Sequence, residues 1–265
     1  MPLGELGAYL AIGVAVGFFA GLLGVGGGLI IVSSLALMFT AHGFPAQYIM
    51  HMAIGTSLAA IVFGSVSSFR THHRHGAVDW AVVRGMTPGL LVGVALGAIV
   101  ARFLPTGFLK YLFLAFLLII TTQMVFNLRP KARRPLPGRV GLTGVAIFIG
   151  VCSSIFGGGA AAAGVPFLTW CGMTTHRAIG TVAAMGFPVS VAGAIGYGIA
   201  GASAAGLPPW SVGFVYLPAF IGIAVTSVIA APYGARLAHK LKGATLRRVF
   251  AVFLVVMGIK IAISV

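Results

Sequence analysis

Two six-residue phrases of this chain nearly coincide: HMAIGT at 51–56 and HRAIGT at 176–181. Each ends on a hydroxyl, Thr56 or Thr181, and Ser57 follows the first. Hydroxyl groups can donate to an oxyanion, and the guanidinium of Arg177 adds a planar fork of donors suited to sulfonyl or carboxylate oxygens. Arg177 and Thr181 stand four residues apart, so on a helix they share a face. Only the second phrase carries the arginine; the first has Met52 in its place. Two readings of Arg177 stand side by side. It is a positive charge that orients a membrane helix, or it lines the entrance of an anion path. His51 and His176 precede their threonines by five residues and point well round the helix from them, at about 100° per residue. They are candidates for a proton relay, since imidazole titrates near neutrality, or for packing and capping at a helix end.

A glycine cluster lies upstream of each phrase, within GFFAGLLGVGGGLIIV at 17–32 and GVCSSIFGGGAAAAGV at 150–165. Gly24, Gly26, Gly27 and Gly28 in the first, and Gly157, Gly158 and Gly159 in the second, let the chain turn and leave backbone N–H groups uncovered. A short helix that starts at such a break aims its positive dipole end into it. Ser153 and Ser154 come just before the second break. With Thr56, Ser57, Thr181 and Arg177 these residues form the candidate substrate-binding set, and the chemistry they suggest is the holding of a small anion. The competing reading is packing. Small residues let membrane helices approach closely, and a buried Ser or Thr commonly bonds its own helix carbonyl. Gln123, a lone amide in an apolar stretch, reads equally as interhelical contact or as ligand.

The elements that must position these residues are membrane helices. Hydrophobic residues make up 59% of the 265 positions and charged ones 7%, against about 25% charged in a soluble domain. Runs such as 92–100, 108–126 and 244–265 hold few or no charges, and a bilayer core takes about 20 apolar residues per helix. The alternating ten-residue pattern of a membrane β-barrel is absent. The fold class expected is therefore an all-α polytopic membrane protein. The net charge of +15 does not point to nucleic acid: with only Glu5 and Asp79 as acids, 17 basic residues are enough to produce it, and in a membrane protein they set orientation. The first basic residue is Arg70, so no positive n-region of a signal peptide is expected. Cys152 and Cys171 sit in apolar context without metal-ligand or disulfide spacing. No metal and no cofactor are expected. An intramembrane enzyme would need a base, nucleophile or metal cluster that the two acids and scattered cysteines do not supply, and no GxxxxGK[ST] loop for ATP is present.

The matching phrases in matching surroundings divide the chain into a first membrane repeat at 1–127, a basic, Pro-rich linker at 128–139 (LRPKARRPLPGR) and a second repeat at 140–265. The DW pair at 79–80 is placed like the PW pair at 209–210, and Pro88 like Pro218. Five helical segments are expected in each: 6–24, 28–41, 46–69, 80–103 and 108–127, then 140–156, 160–171, 175–200, 211–235 and 244–264. The second segment of each repeat would measure only about 20 Å at 1.5 Å per residue, short of a hydrocarbon core of about 30 Å, so Gly-rich broken or re-entrant helices are expected. With the linker placed in the cytoplasm, all of the 17 basic residues except Arg102, Lys110 and Lys260 fall inside. Equivalent loops then carry opposite charge bias, as two inverted-topology repeats require. Transporters built this way bind substrate near the midplane, where interrupted helices of the two halves meet.

The LLGxGGG pattern near the N-terminus, its repeat in mid-chain and the A-I-G-T stretches after each resemble the sulfite exporter TauE/SafE family, over nearly the whole chain. The resemblance implies a bacterial or archaeal inner (plasma) membrane carrier that exports sulfite, organosulfonates or another small sulfur-containing anion; the two inverted halves would alternate access to a site between the glycine breaks. GGGAAAAG departs from the family's more usual GxGGG followed by bulky residues and Pro. Pro166 is kept, while the alanines at 160–163 reshape the surroundings of the break. Partners implied are the small anionic substrate, the lipid bilayer and a coupling ion such as the proton. Uptake of another small anion, a channel, and a receptor or scaffold are the alternative functions.

Overall fold

A backbone in lipid has no water to bond to and must satisfy itself, which leaves helices for apolar runs of this length. The computed structural model describes residues 3–23, 27–126, 135–158, 160–238 and 243–264. Its helices are α1 (Leu3–Leu23), α2 (Gly28–Ala41), α3 (Ile49–Arg74, entered through a 3₁₀ turn at Ala46–Tyr48), α4 (Trp80–Phe103) and α5 (Thr106–Val125). There follow α6 (Arg139–Ile155), α7 (Ala160–Trp170), α8 (Thr175–Ala200), α9 (Leu217–Ala238) and α10 (Gly243–Ser264). Among the described residues four stretches are long and apolar enough to cross a membrane: Ala46–Arg74, Trp80–Phe103, Thr106–Val125 and Thr175–Ala200. α2 and α7, each next to a glycine cluster, have 14 and 11 residues. Large apolar side chains such as Phe103, Leu118, Val140, Ile199 and Ile263 face outward, while Ser33, Thr56, Ser57, Ser153, Ser154 and Thr181 are buried. Apolar outside with hydroxyls inside suits a lipid surround. The chain is an all-α polytopic membrane protein.

The helices pair in a reciprocal pattern. α3 and α8 pack together, α1 lies against α9, α6 against α4, and α5 against α10, while α2 and α7 rest on α3 and α8 respectively. Exchanging the first five helices for the last five maps these pairs onto one another. The register agrees: Gly17 of α1 backs onto Ser227 of α9, and Gly150 of α6 backs onto Leu90 of α4. α4 and α6 run parallel, with Gly85 by Leu142 and Gly97 by Ser154, so Arg84 and Arg139 lie near the end where α3 finishes at Arg70 and Arg74. Arg177 joins them there by pairing with Asp79. At the opposite end Arg102 donates to Ser203 over 2.9 Å, near the start of α5.

One expected element differs. The sequence reads as a helix from residue 211, directly after Trp210. In the structure 211–216 form a small antiparallel hairpin, β1 (Ser211–Val212) and β2 (Val215–Tyr216). It turns at Gly213 (φ 55), and Trp210 enters it with φ 69. α9 begins only at Leu217, with Pro218 in its first turn, a position where the missing N–H costs nothing. The DW and PW pairs are thus not structural counterparts, because the second half inserts the hairpin after its tryptophan. Nor do the two prolines match, since Pro88 lies well inside α4. The residue that precedes α9 as Asp79 precedes α4 is Tyr216.

Candidate functional site

The repeated phrase has the same local contacts twice. In the second copy, the Thr181 hydroxyl oxygen accepts the Asp79 backbone N–H over 3.0 Å, just before α4. In the first, the Thr56 oxygen accepts the Tyr216 N–H over 3.0 Å, just before α9. The preceding glycine makes room each time. A Cβ on Gly180 would stand 2.6 Å from the Ala77 carbonyl oxygen, and one on Gly55 2.8 Å from that of Phe214. In both copies the glycine meets the residue two before the one that the threonine holds. Each G-T pair therefore clasps the lead-in to the partner half's fourth helix.

Arg177 belongs to one clasp only, and its partner explains why. Its Nη2 lies 3.0 Å from Asp79 Oδ2. Asp79 Oδ1 meanwhile caps α4, accepting from the N–H groups of Ala81 (3.1 Å) and Val82 (3.3 Å). The other clasp has Tyr216 in place of the acid, and there the corresponding Met52 is fully buried. His176 is exposed at this arginine-bearing end, its ring 6.2 Å from that of His72. His51 lies at the other end, where its Nε2–H donates to the Ala101 carbonyl over 2.9 Å. The two histidines are not brought together.

The glycine breaks are. Gly28, the first residue of α2, lies so close to Gly157 and Gly158 that a Cβ on it would overlap the Gly157 carbonyl. Ser57 sits over this junction, its hydroxyl 3.0 Å from the Gly157 carbonyl and 3.3 Å from that of Gly28. Gly157 (φ 68) and Gly158 (φ 112) adopt backbone that side chains disfavour, and the Gly158 N–H returns to the Ser153 carbonyl over 2.9 Å. The hydroxyls of Ser153 and Ser154 are buried with no hydrogen-bond partner among the described residues, that of Ser154 against Gly97 of α4; a buried polar group in that state costs about 1–3 kcal/mol unless something else bonds it. Two short helices begin at or beside the junction and bring their positive ends near it. Gly27 caps α2 and packs toward Val16 of α1. Gly24, Gly26 and Gly159 lie outside the described residues. The structure thus gathers Gly28, Ser57, Gly157, Gly158 and Ser153, and leaves Arg177, Thr181 and the histidines elsewhere.

Sequence reasoning missed two features. The first is the hairpin, which stoppers one end: Phe214 stacks near His51 (5.0 Å between centroids), and Tyr216 sits among Tyr9 (6.0 Å), Phe39 (5.8 Å) and Phe44 (5.2 Å). The second is the role of Asp79, for which a signal existed: an acid directly before an apolar run is a helix N-cap signature. Among the described residues no three His, Cys, Asp or Glu side chains form a metal-binding group.

The family model described as sulfite exporter TauE/SafE matches residues 9–261. A "probable membrane transporter protein" of Haemophilus influenzae is 33% identical over 255 residues, covering 94% of this chain and 95% of that protein. The "probable membrane transporter protein YdhB" of Bacillus subtilis is 28% identical, over 68% of this chain and 74% of that protein. The "probable membrane transporter protein MJ0441" of Methanocaldococcus jannaschii is 24% identical over 94% of this chain and 92% of that protein. No solved structure matches. A polytopic helical bundle whose two glycine breaks meet at its interior, matched over nearly its whole length, belongs to the sulfite exporter TauE/SafE family and is a membrane transporter.

Proposed function

We propose that the chain exports a small sulfur-containing anion, sulfite or an organosulfonate, from the cytoplasm across a prokaryotic inner membrane, by alternating access between two inverted repeats. The observation that carries this reading is the junction of Gly28 with Gly157 and Gly158, tied by the Gly158 N–H to Ser153, whose buried hydroxyl has no hydrogen-bond partner among the described residues. Positive helix ends and uncommitted hydroxyl donors are what an oxyanion needs in a dry site. The family's name supplies the sulfur chemistry. The reciprocal helix pairing and the two equivalent clasps support the repeats at 1–127 and 140–265. The positive-inside rule places the linker and the arginine-bearing end in the cytoplasm. A potential negative inside favours anion efflux by about 2.3 kcal/mol per charge at 100 mV.

Counterflow in proteoliposomes tests this reading. Vesicles preloaded with sulfite, sulfoacetate, taurine, thiosulfate or lactate are diluted into labelled sulfite. Accelerated entry with a sulfur oxyanion inside, reduced several-fold in Ser153→Ala/Ser154→Ala, is the expected result. Acceleration by lactate alone would move the substrate class, and flux without any acceleration would make the protein a channel.

A further inference from the structure

By the symmetry of the helix pairs, the packing of α3 on α9 should match that of α8 on α4. Among the described side chains it does so at the beginning. α3 and α9 start together at the Thr56–Tyr216 clasp, and Phe63 still meets Phe220 with centroids 6.0 Å apart. Beyond that point they leave a cavity of about 580 Å³, lined among the described residues by Phe63, Val66, Ser67, Arg70, Thr71 and Arg74 of α3 and Val228 of α9. In the register of the repeated phrase, Thr71 corresponds to Gly196 of α8. There the gap is closed, since a Cβ on Gly196 would come 2.9 Å from that of Ala98 in α4.

The open gap is therefore the one that carries charge. Among the described residues both charged side chains in its lining are arginines, and no carboxylate lines it. Neither guanidinium is hydrogen-bonded or ion-paired to a described residue, whereas Arg177 nearby is held by Asp79. The Thr71 hydroxyl is already committed to the Ser67 carbonyl (3.0 Å), so the arginines and the Ser67 hydroxyl are the available donors. Arg70 and Arg74 are four apart on one helix face, where like charges repel; a bound anion relieves that repulsion. Ser57, at the glycine junction, is on the same helix, about 20 Å away at 1.5 Å per residue.

We propose that this groove is a second anion site, a vestibule in which Arg70 and Arg74 hold a small oxyanion at the cytoplasmic mouth. It rests on the anion-transport reading above and on the orientation given there. The test uses Ser67→Cys in a Cys152→Ala/Cys171→Ala background, in nanodiscs of pure phosphatidylcholine or of phosphatidylcholine with phosphatidylglycerol. Labelling by N-ethylmaleimide, which is neutral and so insensitive to screening, is timed with sulfate or sulfoacetate, against gluconate at equal ionic strength. Sulfate or sulfoacetate should slow labelling several-fold in pure phosphatidylcholine. The effect should vanish in Arg70→Gln/Arg74→Gln and survive in part in Arg70→Lys, with all variants eluting as the parent does in size-exclusion chromatography. Protection that no anion gives, that persists in the double glutamine variant, or that only phosphatidylglycerol gives overturns the proposal. Counterflow without protection sinks the vestibule alone; protection without counterflow leaves the vestibule standing and sinks the transport reading.

Discussion

Thr56 and Thr181 each spend a hydroxyl oxygen on a backbone N–H far away in sequence. The two bonds differ in setting. Tyr216 is buried, whereas Asp79 is partly exposed, so water can take over the bond to Asp79 but not the one to Tyr216. Thr56→Val should therefore cost about 1–3 kcal/mol, the range for stranding a buried donor, and Thr181→Val less. Thermal unfolding of the two variants in one detergent checks the order. At Asp79, the cap and the ion pair also separate. Asp79→Ala loses a cap of about 0.5–2 kcal/mol, while the Arg177 pair, with the arginine side chain 54% exposed, contributes about 1 kcal/mol or less. Arg177→Ala should thus be the milder change, and a double-mutant cycle over the two positions reads the coupling. The repetition of A-I-G-T was visible in the sequence, but its use was not. A threonine that accepts from a backbone 102 residues away looks locally the same as one that waits for a ligand.

At the scale of elements, the helices were legible because lipid leaves long apolar runs so few alternatives, and the short α2 and α7 were legible from their glycine borders. The hairpin at 211–216 was not. Its strands have two residues each, too few to show a period of two, and its apolar letters run straight into α9. Pro218 was the clue, as proline favours a helix's first turn. The glycine junction was legible as two breaks; that they touch is a fact of the tertiary fold. It makes a sharp prediction. Gly157→Ala and Gly158→Ala put a side chain where φ is positive and where Val32 or Ile61 already stands, so both should abolish counterflow and lower the folded yield. Gly43→Ala, also at positive φ but with open space around it, should cost only backbone strain of about 1 kcal/mol and leave counterflow intact.

Across the whole molecule the two ends are unlike. One holds the aromatic stopper and the other the open groove. Removing the stopper's anchor should loosen its end: in a background without Cys152 and Cys171, a Tyr48→Cys probe should react faster with an external maleimide in Phe214→Ala than with Phe214 present, because Phe214 packs on Tyr48 at 5.4 Å. Equal rates would mean that the hairpin is not what closes this end. The groove could not be read from the sequence at all, since Arg70 and Arg74 look like ordinary orientation charges until the cavity between α3 and α9 is seen beside them.

The inserted hairpin bears on the affinity seen from each side. A carrier made of two matching halves could visit its two end states with equal ease. Under the proposed alternating access, a state open at the hairpin end must lift Phe214 and Tyr216 out of their ring contacts as well as break the Thr56 bond, whereas a state open at the other end breaks the equivalent Thr181 bond and the exposed Asp79–Arg177 pair with no hairpin to move. A rarely visited state binds its ligand with an apparent dissociation constant divided by its fractional population, so each 1.4 kcal/mol of latch weakens binding from that side tenfold. The same anion at the same site would thus be held weakly from the hairpin side and strongly from the arginine side, by a difference that belongs to the six residues of the hairpin rather than to the site.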